Sequence, residues 1–181
     1  MPATYDELIQ FLHGLGTENV PHTKGKFLDH LVAVDRDLAA WGCDEELCRA
    51  GMFHSIYGTE RFRKFSLPLE RRADVRELIG ERAERLAYVN CVMDRATLDR
   101  ALAGGPPYVL QSHAGEVLEL SAADFDDLCR VHLCDWLEQV PRSQQWSYRR
   151  DAYQRMASRL GGVAQAAFDA VYAAEPAASP S

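Results

Sequence analysis

Three side chains of metal-ligand type lie on the apolar faces of different predicted helices. His30 lies at the edge of one apolar stripe, and His54 continues a second stripe seven residues after Leu47. Asp94 lies on the same helix face as Asn90, so its carboxylate is expected to point into the core. A buried aspartate is rarely found without a partner. Imidazole and carboxylate together suit a divalent ion such as Fe, Mn, Zn or Ni. We predict a metal site formed by His30, His54 and Asp94, with the identity of the metal open.

Each of these residues also has a structural interpretation. A histidine on an apolar helix face is commonly a core residue that is hydrogen-bonded to a neighbour. Asp94 precedes a predicted helix near Ala96, where it would serve as the N-cap. His132 is a rival ligand on a face with Phe125, and we interpret it as a core histidine. Periodicity alone therefore leaves the metal site and the packed core as alternatives.

The elements that must position these residues are mostly helices. Helix signals cover about residues 5–15, 27–41, 44–54, 69–79, 81–93, 96–103 and 121–140, and two more helices flank Gly161-Gly162. The segment 19–23 predicts a turn, Pro141 predicts the end of the long helix, and 108–120 predicts the only β-hairpin. We predict a single, mostly α-helical domain over residues 1–175, with one small β-hairpin and a disordered tail over 176–181.

Composition and charge narrow the classes of function. The 181 residues carry a formal net charge of −7, which argues against a general nucleic-acid surface or an anionic membrane surface. The arginine-rich patch from Arg61 to Arg72 is interleaved with acids, and we interpret it as a solvated face, with an anion site as the alternative. No apolar run approaches the roughly 20 residues that span a bilayer. The five cysteines show no C-x-x-C spacing and are predicted to be mostly reduced core residues. We expect a cytoplasmic protein with no nucleic-acid or membrane partner, and we leave a homodimer open.

The stretch "FLDHLVAVDRDLAAWGCDEELCRAGMFHS" resembles the HD-domain superfamily. The motif of that superfamily is a histidine on one helix, an adjacent His-Asp pair at the end of the next, and a later aspartate. The resemblance covers about residues 20–95 and assigns these roles to His30, His54 and Asp94 in turn. It implies an HD-like helical bundle. The segments "HSIYGTE", "LEQVPR" and "YRRDAYQRMASRLGG" also look like an uncharacterised HD-like family of unknown function.

One residue departs from the superfamily motif. Ser55 stands where the aspartate of the His-Asp pair would be, and a serine hydroxyl is a weak, neutral metal ligand. Three accounts stay open: the site has lost metal and is a binding pocket, it holds one ion through His30, His54 and Asp94, or a nearby residue replaces the carboxylate. Glu60 and His22 are the available substitutes.

Three further residues are candidates for catalysis. His22 lies in a loop before the second helix and could act as an acid or base at the pocket mouth. Tyr57 could donate a hydrogen bond to a substrate oxyanion, and Glu60 could ligate metal or cap a surface turn. We expect a metal-dependent enzyme that acts on a small-molecule substrate through metal-activated water, as a hydrolase. The alternatives are a non-haem iron oxygenase on the same ligands and a non-catalytic binding protein.

Overall fold

The fold was determined as a computed structural model, which describes residues 3–177. The predicted disordered tail covers residues 176–181, of which residues 178–181 lie outside the described range. Most of the described residues are helical, so the mostly α-helical prediction is confirmed. The helices are α1 (Tyr5–Gly14), α2 (Phe27–Ala40), α3 (Glu45–Met52), α4 (Arg72–Ile79), α5 (Glu81–Val92), α6 (Arg95–Gly104), α7 (Ala122–Ser143), α8 (Arg150–Leu160) and α9 (Gly162–Ala173).

The starts of several helices follow directly from capping residues in the sequence. Thr4 and Glu7 form a capping box at the start of α1. The Asp44 carboxylate accepts a hydrogen bond from the Leu47 amide at 2.8 Å and begins α3. The Ser121 hydroxyl accepts from the amide of Asp124 at 3.1 Å and begins α7. These local signals place the helices on which the site residues lie.

Two small antiparallel sheets accompany the helices. Strands β3 (Tyr108–Gln111) and β4 (Val117–Leu120) form the predicted hairpin, with Tyr108 opposite Leu120. The prediction of only one hairpin is wrong, because β1 (Pro21–His22) pairs with β2 (Gly25–Lys26) where a simple turn was expected. The residues between β1 and β2 are Thr23 and Lys24, with φ of 31° and 60°. This left-handed turn contains neither the glycine nor the asparagine that is usual in such turns.

Two helix ends differ from the sequence predictions. Helix α7 passes through Pro141 and ends at Ser143, because a proline in the last turn removes only one hydrogen bond of the helix. Helix α3 ends at Met52, so His54 lies in the turn that follows and not within the helix.

Helix α7 lies at the centre of the molecule, packed against α2, α3, α5, α8 and α9. Its buried residues include Phe125, Leu128 and Leu133, each with no exposed surface. All five cysteines are free, and only Cys43 is not fully buried, as the sequence predicted. No helix within residues 3–177 has the length and apolarity needed to cross a membrane. The packing around α7 brings together side chains from α2, from α7 and from the turn that follows α3.

Candidate metal centre

His30 projects from α2 toward α7 and is almost completely buried. Its Nδ1 lies 2.6 Å from Oε2 of Glu138, a residue of α7. A carboxylate accepts hydrogen bonds, so the proton of the neutral imidazole resides on Nδ1 and a lone pair remains on Nε2. Glu138 also forms a salt bridge with Arg142, which holds the carboxylate in place. In the neutral ring, Nε2 of His30 therefore has a lone pair that can accept a proton or a metal ion.

His54 is fixed in the turn after α3 by hydrogen bonds on both its ring and its backbone. The Nδ1–H group donates to the carbonyl of Gly51 at 2.6 Å, which leaves the lone pair of the neutral ring on Nε2. The carbonyl of His54 accepts from Nδ2 of Asn90 at 2.8 Å and from the Cys91 thiol at 3.1 Å. The two Nε2 atoms of His54 and His30 lie 3.3 Å apart.

Asp135 on α7 supplies the third ligand atom. Its Oδ1 lies 3.1 Å from Nε2 of His30 and 3.2 Å from Nε2 of His54. Burial raises the pKa of Asp135, but the two histidines outweigh burial and hold this pKa well below its ordinary range. Asp135 is therefore an ionised carboxylate inside the protein.

Burial and neighbouring charges also have opposite effects on the pKa of His30. Burial lowers the pKa of its imidazole, but hydrogen bonds to Asp135 and Glu138 and the charges of both carboxylates raise this pKa to about 9. The charges of the cluster thus favour a cation between Asp135 and the histidines, either a proton or a metal ion.

The buried group of His30, His54 and Asp135 could hold a metal ion, since one ligand atom from each lies within 4.8 Å of the other two. Among residues 3–177 it is the one His, Cys, Asp or Glu group with this arrangement. The predicted pair of histidines is brought together, and the third member is Asp135.

Asp94 does not take part in this group, which corrects the predicted ligand set. Its carboxylate accepts a hydrogen bond from the Ala96 amide at 2.9 Å and caps α6. Helix α5 ends at Val92, so Asp94 no longer continues the inward face of that helix. The capping alternative that the sequence left open is the one that the structure adopts.

Asp135 and Glu138 were missed because the sequence analysis noted only the apolar residues and His132 on this helix. The available signal was two acids three residues apart on a long amphipathic helix, with Asp135 three residues after His132. His132 is buried but does not take part in the group: its Nε2 accepts from Arg149 at 2.8 Å, and its Nδ1–H donates to Asn90 at 2.9 Å. It is the hydrogen-bonded core histidine that was expected.

The other predicted site residues fall at different places. His22 stacks on His30 with ring centroids 4.2 Å apart, and its buried Nδ1 has no hydrogen-bond partner among the described residues. Burial, together with the charges of His30, His54 and Arg142, lowers the pKa of His22 to about 3 despite the opposing charge of Asp135. His22 is therefore a neutral side chain in direct contact with the cluster, deeper than the pocket mouth where it was expected.

Tyr57 and Glu60 do not lie where their predicted roles require. The buried Tyr57 hydroxyl donates to Oε1 of Glu84 at 3.0 Å. Glu60 is exposed, accepts from the Arg95 amide at 3.2 Å and lies 3.3 Å from His113. Glu60 thus belongs to the surface, and neither residue lines the cleft beside Asp135.

A cleft of about 340 Å³ opens beside the cluster. Asp135, Ser55 and His22 line it, together with Trp136 and Tyr153. Because a ligand of the candidate metal faces this space, a small molecule in the cleft would reach an ion held by the three residues.

Comparison with known proteins identifies one family. The family described as "Domain of unknown function (DUF6817)" matches residues 11–95, slightly less than half of the chain. The match includes His30 and His54 but ends before Asp135 and Glu138. No curated protein and no solved structure matches the chain.

Proposed function

We propose that His30, His54 and Asp135 bind one divalent transition-metal ion and that the protein is a metal-dependent enzyme, a hydrolase acting on a small molecule. The observation that carries this proposal is the convergence of three lone-pair atoms, with both histidine Nδ1–H groups already used elsewhere. Such an ion supplies a Lewis acid and activates water near neutral pH.

The spacing of the three atoms fits a metal ion. Ligand bonds of about 2.0–2.2 Å in tetrahedral or octahedral geometry place neighbouring ligand atoms roughly 2.9–3.5 Å apart. The distances among the Nε2 atoms of His30 and His54 and Oδ1 of Asp135 are 3.1, 3.2 and 3.3 Å. The group therefore has the dimensions of a three-residue ligand set that leaves further positions free.

The surrounding hydrogen bonds also match those of metal-binding histidines. Such histidines commonly donate their second N–H to a carboxylate or a backbone carbonyl, which fixes the tautomer and the ring orientation. Glu138 has this role toward His30, and the Gly51 carbonyl has it toward His54. With these tautomers, both Nε2 lone pairs face the Asp135 carboxylate, an arrangement that calls for a cation between them.

Ser55 favours a site with a single ion. The HD-like resemblance, which we retain as part of this proposal, places an aspartate at this position, and Ser55 removes that carboxylate. Of the three accounts of Ser55, occupancy by one ion is the one that the cluster supports, with Asp135 as the later aspartate in place of Asp94. His22, in contact with His30 and the cleft, would orient the substrate as a neutral hydrogen-bonding group.

A second candidate function uses the same three residues. Two histidines and one carboxylate with open positions form the ligand set of many non-haem iron oxygenases. The oxygenase and the hydrolase therefore differ in the bound metal and not in the ligands of this chain.

Metal analysis of protein purified without chelator or nickel resin tests the proposal. We expect about one ion per chain in the wild type and less than a tenth of that in Asp135→Asn, which removes a ligand charge but keeps the side-chain shape. His113→Ala, a change to an exposed histidine outside the cluster, should retain full occupancy. Iron with an oxygen-dependent colour would select the oxygenase, and manganese or zinc the hydrolase.

Two outcomes would contradict the proposal. One is a wild-type protein that takes up none of Fe, Mn, Zn or Ni in a calorimetric titration. The other is Asp135→Asn with the metal content of the wild type. In either case the three residues form a hydrogen-bonded core cluster, and the non-catalytic binding protein is the remaining interpretation.

A further inference from the structure

The cleft beside the cluster is lined by an unusual concentration of cations for a chain with a net charge of −7. Five basic side chains line it: Lys24, Arg61, Lys64, Arg95 and Arg142. Asp135 is the one acid among the lining residues. Arg142 is paired with Glu138, but no side-chain nitrogen of the other four lies within 4.0 Å of a carboxylate oxygen of residues 3–177, since Glu60 contacts only the backbone amide of Arg95. The cleft therefore carries positive charge that the protein itself does not neutralise.

Arg95 is the least expected of these cations. Its residue surface is only 8% exposed, and its NH1 group donates to the hydroxyl of Tyr148 at 3.0 Å. Arg49, which is buried to a similar extent, forms a salt bridge with Glu45. Burying a guanidinium without a carboxylate is costly, and the Arg95 nitrogens that make no hydrogen bond are not enclosed by protein, so they are open to a partner from the cleft. The cleft that it lines is the place from which that partner would come.

Tyr148 holds Arg61 close to Arg95. The guanidinium of Arg61 lies 4.0 Å from the centroid of the Tyr148 ring, whose hydroxyl is the partner of Arg95. Burial raises the pKa of Tyr148, but the positive charges of Arg95 and Arg149 and the hydrogen bond from Arg95 lower this pKa below its ordinary value. The guanidinium groups of Arg61 and Arg95 thus both lie next to Tyr148.

The sequence predicts that the patch from Arg61 to Arg72 is a solvated face. The structure divides that patch. Arg72 pairs with the buried Glu84, whereas Arg61 and Lys64 line the cleft. All three side chains are exposed, but Arg63, between the other two in sequence, does not line the cleft. Of Arg61, Arg63 and Lys64, only Arg61 and Lys64 therefore line the cleft.

We propose that the cleft binds a small molecule through a multiply charged oxyanion group, a phosphate or a polycarboxylate, anchored by Arg95. Arg61, Lys64 and Lys24 surround the same anion, since arginine forks bind both kinds of oxyanion through paired hydrogen bonds. This inference rests on the proposed function only in taking the anion as part of the substrate, because Asp135 lines the same cleft.

Calorimetric titration of chelator-treated protein with inorganic phosphate, and separately with malonate, tests the anion site without metal. We expect the wild type to bind at least one of the two anions. Arg95→Met should weaken that binding by about tenfold or more, because it removes charge-assisted hydrogen bonds. The double variant R61Q/K64Q should weaken it by about threefold to tenfold. Tighter binding of malonate would assign a polycarboxylate, and tighter binding of phosphate a phosphorylated compound.

Arg63→Gln is the matched control, because it makes the same charge change next to Arg61 but outside the cleft. It should bind the anion within about twofold of the wild type, the change expected from an exposed charge. Thermal unfolding of each variant checks that the fold is intact. If Arg95→Met does not fold, the comparison of R61Q/K64Q with R63Q still decides. Equal loss in Arg63→Gln and R61Q/K64Q would overturn the proposal, as would a wild type that binds neither anion at millimolar concentration.

The same titration of Asp135→Asn separates this inference from the metal centre. Retained phosphate or malonate binding in a variant that holds no metal supports an anion site independent of the ion. A wild type that holds metal but binds neither anion would end the anion site and leave the metal centre standing.

Discussion

At the scale of single residues, the side chain next to His54 is a hydroxyl that faces the cleft beside Asp135. Ser55 is 4% exposed, so any group placed there would lie among His54, Asp135 and the lining of the cleft. A carboxylate at this position would add a second hard oxygen ligand to a site that holds one. Divalent cations gain affinity from each such ligand when its geometry is suitable.

We therefore predict that Ser55→Asp tightens metal binding by about tenfold or more, or raises the stoichiometry from one ion to two. The reason is the added negative charge beside Asp135, which metal would compensate. Calorimetric metal titration of both proteins measures the affinity and the number of ions. Ser55→Ala is the control and should bind metal as the wild type does. Unchanged affinity and stoichiometry in Ser55→Asp would show that position 55 does not face the ion.

The histidines could be predicted from sequence, whereas the carboxylate could not. His30 and His54 lie beside regular apolar stripes, and their spacing resembles a known motif. Asp94 satisfied the same periodicity, but helix α5 ends two residues before it and turns its side chain to the start of α6. Asp135 is one of four acids on α7 between residues 124 and 135, and its selection depends on how α7 packs against α2.

At the scale of elements, the distance between the two histidines depends on how closely α3 approaches α2. Gly51 lies on the contact surface: a methyl group there would clash with Cδ1 of Leu38 and lie 3.3 Å from Cγ1 of Val34. The Gly51 carbonyl is also the acceptor for Nδ1–H of His54. Gly51 therefore both allows α3 to lie close to α2 and orients the ring of His54.

We predict that Gly51→Ala lowers the free energy of unfolding by about 1–3 kcal/mol, the usual effect of overpacking a tight contact. It should also weaken metal binding, because His54 moves with the end of α3. Chemical denaturation and metal titration measure the two effects. Gly14→Ala, a substitution in α1 with no atom near the added methyl group, should leave metal binding unchanged and should not lower the free energy of unfolding. If Gly51→Ala kept the stability and the metal affinity of the wild type, the close approach of α3 to α2 would not be needed for the cluster.

Helices with a capping residue and a sustained apolar stripe could be predicted, since both signals are local. The small sheet of Pro21–His22 and Gly25–Lys26 could not, because Thr23 and Lys24 adopt left-handed backbone angles that their side chains do not favour. That hairpin packs against α2, and it is what brings His22 onto the ring of His30. Here tertiary contacts decide the local conformation.

At the scale of the whole molecule, the cluster ties together segments that are remote in sequence. His30 and its partner Glu138 are 108 residues apart, and His54 comes from a third segment whose backbone is held by α5. An unfolded chain would not present these ligands together. A metal ion bound by the three residues therefore binds the folded state alone and shifts the unfolding equilibrium toward it.

The last prediction concerns the thermal stability of the whole chain. At a free metal concentration one hundred times the dissociation constant, the folded state gains about 2.7 kcal/mol, which for a chain of this length raises Tm by roughly 5–10 °C. Adding excess chelator to the metal-loaded wild type should reverse the rise. Asp135→Asn should show neither change, because its folded state has no affinity to contribute. Calorimetric scans of both proteins with metal and with chelator provide the measurement. An equal rise of Tm in Asp135→Asn would place the stabilising ion elsewhere and remove the thermodynamic link between the cluster and the fold.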